Sequence, residues 1–87
     1  MHPIRKVLIE AHARERMSER GATEEEVAAT VAQGEMFQAK FGRVGFRRNF
    51  NYDGLWRERL YATKQVEVLA VEENDQWVAI TVIVKFF

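Results

Sequence analysis

The chain has 87 residues, 47% of them hydrophobic, which is enough for one small globular domain over residues 1–87 and too few for a second. It contains no cysteine, which excludes disulfides and thiolate metal sites and favours a cytoplasmic location. No secretory signal is evident, and the longest apolar run, residues 77–84, is too short to span a bilayer as a helix. We therefore expect a soluble, cytoplasmic protein that does not bind membranes.

The net charge is zero, but the charges are unevenly distributed along the chain. Between residues 40 and 64 there are seven lysines and arginines against two acids, and acids cluster on either side of this segment. A net charge of zero argues against nucleic-acid binding, whereas a basic middle segment gives a dipolar surface if the segments fold onto different faces. The alternative is that these charges coat solvated strand faces.

The first element can be interpreted in two ways. The apolar residues between 4 and 11 keep helical spacing, which is consistent with a helix that begins soon after Pro3. Alternatively, residues 6–9 form a short strand and the helix begins near Glu10, because two of these residues are β-branched. In both interpretations Gly21 ends the helix, since glycine readily adopts the left-handed conformation that follows a last helical turn.

On this helix, His12, Arg16 and Arg20 form one polar stripe. At about 100° per residue they fall at roughly 0°, 40° and 80°, beside the apolar Ala13 and Met17. Such a border suits a polar anchor between helix and sheet, or a group that binds phosphate. Histidine is the one residue type in this stretch that titrates near neutral pH, so His12 is the candidate general acid or base, with Arg16 as the candidate phosphate ligand.

A second helix is expected directly after the first. Thr23 and Glu26 have the spacing of a capping box, and an apolar stripe follows from Val27 to Val31. Gly34 ends this helix. Because the link between the helices is short, we expect an αα-hairpin or corner.

After Gly34 the apolar pattern changes to the period of two that is typical of strands. Alternation over residues 37–41 predicts one strand, a turn follows at Gly42, and residues 46–50 predict the next strand. The sequence of residues 51–54, Asn-Tyr-Asp-Gly, is typical of a loop.

Two further strands complete the predicted fold. One is expected within residues 59–72, and a turn at residues 73–75 leads to the last, residues 77–86. This last strand is apolar on both faces, as in a central strand covered on both sides. The predicted class is α+β, with two N-terminal helices packed on one face of an antiparallel sheet of about four strands and the C-terminal strand central.

The basic middle segment supplies the candidate RNA- or partner-binding residues, which are Arg47, Arg48, Tyr61 and Lys64. If the helices cover one face of the sheet, we expect these side chains to mark an open, basic surface on the other. Each has an ordinary alternative. Arg48 shares strand parity with two phenylalanines and can extend between them to solvent, and a polar strand face can simply be solvated.

Neither a metal ion nor a cofactor is indicated by the sequence. The candidate metal ligands are His12 with Glu15 or Glu19, and Arg16 on the same stripe would repel a divalent ion. There is no glycine-rich phosphate loop and no nucleophile–base pair. We expect no cofactor and no metal site.

Four motifs carry a resemblance to a known family. They are HAxxRMxxRG at residues 12–21, TxxEV at 23–27, Gly-Glu at 34–35 and VxITV at 78–82. Together they resemble a family of small prokaryotic proteins classed as a domain of unknown function, which is similar to the BrnT/RelE-type toxins. Those toxins are compact α+β proteins of toxin–antitoxin pairs, and several of them cut messenger RNA.

The resemblance implies two hypotheses. In the first, the chain is a toxin-like RNA-binding protein that acts as a metal-independent ribonuclease or binds RNA without cutting it. In the second, it is a non-catalytic interaction module that binds an acidic protein partner such as an antitoxin. No catalytic signature of those toxins maps residue by residue onto this chain. The apolar C-terminal strand also leaves a homodimer open.

Overall fold

A computed structural model describes residues 6–87, which form two helices on one face of a five-stranded sheet. This confirms the α+β class. The helices are α1 (Ala11–Arg20) and α2 (Glu24–Gln33), and the strands are β1 (Val7–Ile9), β2 (Glu35–Gln38), β3 (Val44–Trp56), β4 (Arg59–Glu73) and β5 (Gln76–Phe86).

The strand order in the sheet is β1-β5-β4-β3-β2. The C-terminal strand β5 therefore lies between β1 and β4, as predicted, but β1 adjoins it only at Trp77–Ala79 and helices cover one of its faces rather than both. The expectation of about four antiparallel strands needs correction, because β1 adds a fifth strand that runs parallel to β5 at Trp77–Ala79. A three-residue strand is too short to show a period of two. Of the two starts considered, the short strand is the observed one, and the helix start near Pro3 lies partly outside the described residues.

Two local expectations on the strands are wrong. Residues Asn51–Gly54 are not a loop, because β3 continues through them to Trp56 and accommodates them as a shift in register, with Asp53 at φ 45°. The chain reverses instead at Arg57–Glu58. The strand expected over residues 37–41 is also shorter, since β2 ends at Gln38 and a 3₁₀ turn follows.

The core lies between the helices and one face of the sheet, here called the covered face. α1 packs over β5, and α2 packs over β4 and β3. Small and β-branched side chains dominate this core, which consists of Ala13, Met17, Ala22, Val27, Val31, Phe46, Val66, Val68, Ala70, Ala79 and Val82. The local signals for the helices are confirmed, because Gly21 is the left-handed cap of α1 and Thr23 forms a complete capping box with Glu26.

A buried lysine joins the helix corner to the sheet. Lys64 of β4 is only 6% exposed, and its Nζ donates to the Gly21 carbonyl at 2.7 Å and to the two Glu26 carboxylate oxygens at 2.9 and 3.0 Å. The same carboxylate accepts a hydrogen bond from the Thr23 backbone N–H. Because an ammonium group loses its hydration on burial, these three acceptors are what make its position stable.

A second ion pair joins the helices at the surface. Arg14 Nη1 donates to Glu24 Oε2 at 3.0 Å, and this hydrogen bond, followed by the charge of the guanidinium, lowers the pKa of the Glu24 carboxyl below its ordinary value. Stabilisation from a lowered carboxyl pKa is present above the unfolded-state pKa and is lost as the pH falls through the folded-state pKa. Both side chains are exposed, so salt screens this pair.

Neutralising the Glu26 carboxylate is expected to destabilise the protein. Glu26→Gln leaves the buried Lys64 ammonium without its counter-charge, and we expect the free energy of unfolding to fall by about 2–3 kcal/mol, since the carboxylate is itself mostly buried. Urea denaturation followed by circular dichroism measures this difference.

The matched control is Glu25→Gln, an exposed position on the same helical turn. Its free energy of unfolding should stay within about 0.5 kcal/mol of the parent. Equal stability of the two variants would contradict the structural role given to the Lys64–Glu26 pair.

Candidate functional site

The second face of the sheet is covered by no helix or strand among residues 6–87 and is here called the uncovered face. Strand pairing aligns its side chains in rows that run across the sheet. One end of this face, the apolar half, includes Leu8, Phe37, Leu69, Val71 and Val78, and the other end, the polar half, includes Glu35, Arg47, Asn49, Gln65, Glu67 and Lys85 together with the apolar Ile83 opposite Glu67. The uncovered face is thus divided into a mainly apolar area and a mainly polar area.

An aromatic ring marks the border between the two halves. Phe37 lies directly over Gly45 of the neighbouring strand, where an added Cβ would meet the ring at 2.2 Å. The Arg47 guanidinium in turn lies over this ring, with Cζ 4.6 Å from its centroid. Glycine at position 45 is therefore required by the close approach of the ring to the backbone.

Most polar side chains of the polar half are paired with one another. Arg47 donates from Nε and Nη2 to Glu67 Oε1 at 3.0 and 2.9 Å, and Gln65 Nε2 donates to Asn49 Oδ1 at 2.9 Å. The Glu67 side chain is more buried than that of Arg47, which strengthens their attraction relative to a fully solvated pair. These pairs fix the side chains in one arrangement and leave little net charge on this face.

Two of the four predicted binding residues lie on the covered face. Lys64 is buried under the helix corner, and Arg48 lies opposite Val66, with its guanidinium 5.0 Å from the Phe50 ring centroid. The expected open surface that combines them with Arg47 is therefore wrong. The physical reason is the period of two, because residues 47 and 48 point to opposite faces, and so do residues 64 and 65.

Tyr61 also lies away from the polar half. Its ring packs 5.7 Å from that of Phe86, in an aromatic group that includes Tyr52 and Trp56 near the end of the β3–β4 hairpin. Of the four residues, Arg47 alone belongs to the polar half of the uncovered face.

The predicted catalytic residues are not brought together with Arg47. α1 packs on the covered side of the sheet, and His12 is exposed at its N-terminal end. Arg16 is paired with Glu19 of the same helix at 3.2 Å. Arg20 is the member of the predicted stripe that reaches the sheet, where its Nη1 donates to the Val82 carbonyl at 2.6 Å. The stripe therefore acts at this end as an anchor between helix and sheet.

Sequence reasoning missed the apolar half. Its signal was present in β4, where Leu69 and Val71 have the strand parity opposite to the core residues Val66 and Val68. A strand with apolar residues on both parities in a sheet that has helices on only one face leaves an apolar area without a cover.

Within the part of the chain that the structure describes, no three His, Asp or Glu side chains lie close enough together to hold a metal ion. In the same range, neither helix has the length and apolar character needed to cross a membrane.

The fold and this face define a small α+β protein with a half-covered sheet. The chain belongs to the DUF4258 family, a domain of unknown function, whose pattern it matches over residues 9–84. No curated protein and no solved structure matches the chain significantly.

Adding a methyl group at position 45 is expected to displace the Phe37 ring. Gly45→Ala forces the ring away from the backbone, and we expect the free energy of unfolding to fall by about 1–3 kcal/mol, as in other overpacked sites. Denaturation together with the NMR shifts of the Phe37 ring protons measures both effects.

Gly54→Ala is the matched control on the same strand. There an added Cβ meets Tyr52 at 3.5 Å, which is an ordinary contact, so the Phe37 ring shifts should not change. If Gly45→Ala also left these shifts unchanged, the close packing of Phe37 on the backbone would be wrong.

Proposed function

We propose that this chain is a toxin-like, non-catalytic interaction protein that binds a protein partner, such as an antitoxin, through the uncovered face. The observation that carries the proposal is the apolar half of that face, which no described element covers. The motifs' resemblance to a family of small prokaryotic proteins that is similar to the BrnT/RelE-type toxins supports the class of protein. The apolar half of the uncovered face supports binding to a protein partner as the mode of action.

The composition of the uncovered face favours a protein over a nucleic acid. Leu8 is 42% exposed, and its neighbours Val71 and Val78 remain partly exposed beside it. Contiguous exposed apolar area with a polar border is typical of protein interfaces. Binding to a phosphate backbone depends on surplus positive charge, whereas Arg47 is already paired with Glu67.

The positions of the candidate catalytic residues favour binding without cleavage. Metal-independent RNA cleavage needs a general base and a phosphate ligand within reach of the same phosphodiester. His12 lies on the helical side of the sheet, where the neighbouring Arg16 is paired with Glu19, and Arg47 lies on the opposite side. We therefore assign neither residue a role in cleavage.

A charge placed in the apolar half is expected to abolish partner binding. Where the gene beside this one encodes a small protein that co-purifies with the parent, we expect Leu69→Lys to prevent that co-purification, because binding would bury an unpaired ammonium group. Tagged co-expression followed by size-exclusion chromatography measures complex formation. The Leu69 side chain is only partly exposed, so circular dichroism first establishes that the variant is folded.

The matched control is Gln33→Lys, which adds the same charge at an exposed position of α2. It should co-purify as the parent does. Equal co-purification of both variants, or amide shift changes confined to the helices during titration with the partner, would contradict binding by the uncovered face.

RNA binding is the second candidate function. The observation in its favour is the Arg47 guanidinium over the Phe37 ring, since aromatic rings and guanidinium planes stack on unpaired bases. Fluorescence anisotropy with a labelled single-stranded RNA distinguishes the candidates. Under the proposed function, the parent and Arg47→Gln give the same weak, salt-dependent signal.

Purified protein is expected to leave RNA intact. A ribonuclease assay on the parent and on His12→Ala should show no cleavage above that of a mock purification, because the candidate phosphate ligand next to His12 on α1, Arg16, is already paired with Glu19. Cleavage by the parent that is lost in His12→Ala would restore the ribonuclease hypothesis and overturn the non-catalytic one.

A further inference from the structure

One edge of β5 has no neighbouring strand over most of its length. β1 pairs with β5 only at Trp77–Ala79, and no other described strand adjoins this edge. Phe87 exchanges both backbone hydrogen bonds with Thr63 of β4. Because antiparallel pairing alternates, the backbone groups of Lys85 and Ile83 also point to β4, and those of Val84 and Phe86 point to the free edge.

Arg20 closes one end of this free edge. Arg20, at the end of α1, donates a hydrogen bond to the Val82 carbonyl, so this carbonyl points away from β4. Val84 and Phe86 follow Val82 at intervals of two residues, and their backbone groups point the same way. Val84 and Phe86 then present two N–H and two C=O groups outward. A row of outward backbone groups of this kind is the template on which an extended chain adds as a further strand.

A cleft of about 180 Å³ lies beside the same edge. It is lined by Arg20 from the end of α1, by Trp56 and Arg57 from the hairpin, and by Ile83, Val84 and Phe86 from β5. Trp56 stacks on Phe86 with the ring centroids 4.8 Å apart, so the hairpin end is held against β5. The cleft thus combines strand backbone, aromatic rings and two guanidinium groups.

Neither guanidinium group has a carboxylate partner among the described residues. Arg20 donates to the Val82 carbonyl, and Arg57 donates to the Glu19 carbonyl at 3.4 Å and lies over the Trp56 ring. No aspartate or glutamate lines the cleft. Two positive charges beside one small cavity, without neutralisation, favour an anionic group there.

The backbone at the hairpin turn gives a further indication. Arg57 and Glu58 have φ values of 50° and 71°, in the left-handed region that asparagine, aspartate and glycine tolerate best. The β4–β5 turn has the same geometry but places Asn74 and Asp75 there. A costly conformation that holds an arginine at the mouth of a cleft points to a function for that arginine.

We propose that the free edge of β5 and this cleft bind an extended acidic peptide. The peptide adds as a strand beside Val84 and Phe86, and one of its carboxylates enters the cleft between Arg20 and Arg57. A small anion such as phosphate would use the guanidinium groups but not the outward backbone groups, so the strand is the ligand that uses both. This site lies at the edge of the sheet and shares only Ile83 with the uncovered face, so it does not depend on the function proposed for that face.

The test uses a seven-residue peptide of alternating valine and threonine with one central glutamate, capped at both ends. Its counterpart has glutamine in place of glutamate. Titration of the ¹⁵N-labelled protein should move the amide signals of β5 around Val84 and Phe86, and the glutamine peptide should bind at least about tenfold more weakly. Equal binding of the two peptides would overturn the carboxylate site.

Strand addition predicts an alternating pattern of amide hydrogen exchange. At saturating peptide, exchange at Val84 and Phe86 should slow by about tenfold or more, since their N–H groups gain acceptors. Exchange at Ile83 and Lys85 should stay unchanged, because those N–H groups are already bonded to β4. Shifts without this alternation, or shifts confined to the uncovered face, would overturn strand addition.

The role of the arginine is tested with a matched pair of variants. Arg57→Gln should lower the affinity for the glutamate peptide by about tenfold. Arg59→Gln removes the same charge two residues away, outside the cleft, and should bind as the parent does. Arg57 is exposed, so loss of fold is not expected, and a thermal unfolding curve verifies this.

Inorganic phosphate at the same concentration serves as the small-anion probe. We expect it to compete weakly with the peptide and to leave the exchange of Val84 and Phe86 unchanged. If phosphate bound as tightly as the glutamate peptide, the site would be a small-anion site and the peptide proposal would be wrong.

Discussion

The rest of the structure depends on the buried ammonium group of Lys64. Its three acceptors come from the cap of α1 at Gly21 and from Glu26 in the first turn of α2, so one side chain of β4 fixes both helices. The core around it consists mainly of valine and alanine, which pack without much directional preference. A buried charge with fixed acceptors is directional, and it therefore selects one position of the helix corner over the sheet.

Fixing the corner in this way has consequences on both sides of the sheet. Both helices are held on the covered face, so the apolar residues of the uncovered face have no helix to pack against. The end of α1 is held beside β5, which brings Arg20 to the Val82 carbonyl. Gly21 also lies so close to Trp56 that an added Cβ would be 2.6 Å from the ring, so the hairpin packs against the same corner.

The parts of the fold that were predictable depend on local signals. Both helix ends near Gly21 and Thr23 follow from capping chemistry within a few residues, and they are observed as predicted. β1 pairs in parallel with a strand some seventy residues later, and no local pattern encodes such a partner. The parity of Lys64 was readable from the sequence, but its burial was not, because its acceptors lie 38 and 43 residues away.

The net charge of zero conceals the distinction that matters for function, which is between paired and unpaired charges. Arg14, Arg16, Arg47 and Lys64 each have a carboxylate partner, and these pairs contribute to structure. Among the residues that the structure describes, Arg20 and Arg57 donate hydrogen bonds only to carbonyl groups, which orient a guanidinium group without neutralising it. The amino-acid composition does not distinguish the paired charges from the unpaired ones. Their pairing shows that the excess of arginine and lysine between residues 40 and 64 is not one basic surface, because carboxylates neutralise Arg47 and Lys64 on opposite faces of the sheet, whereas Arg57 lies beside the free edge of β5.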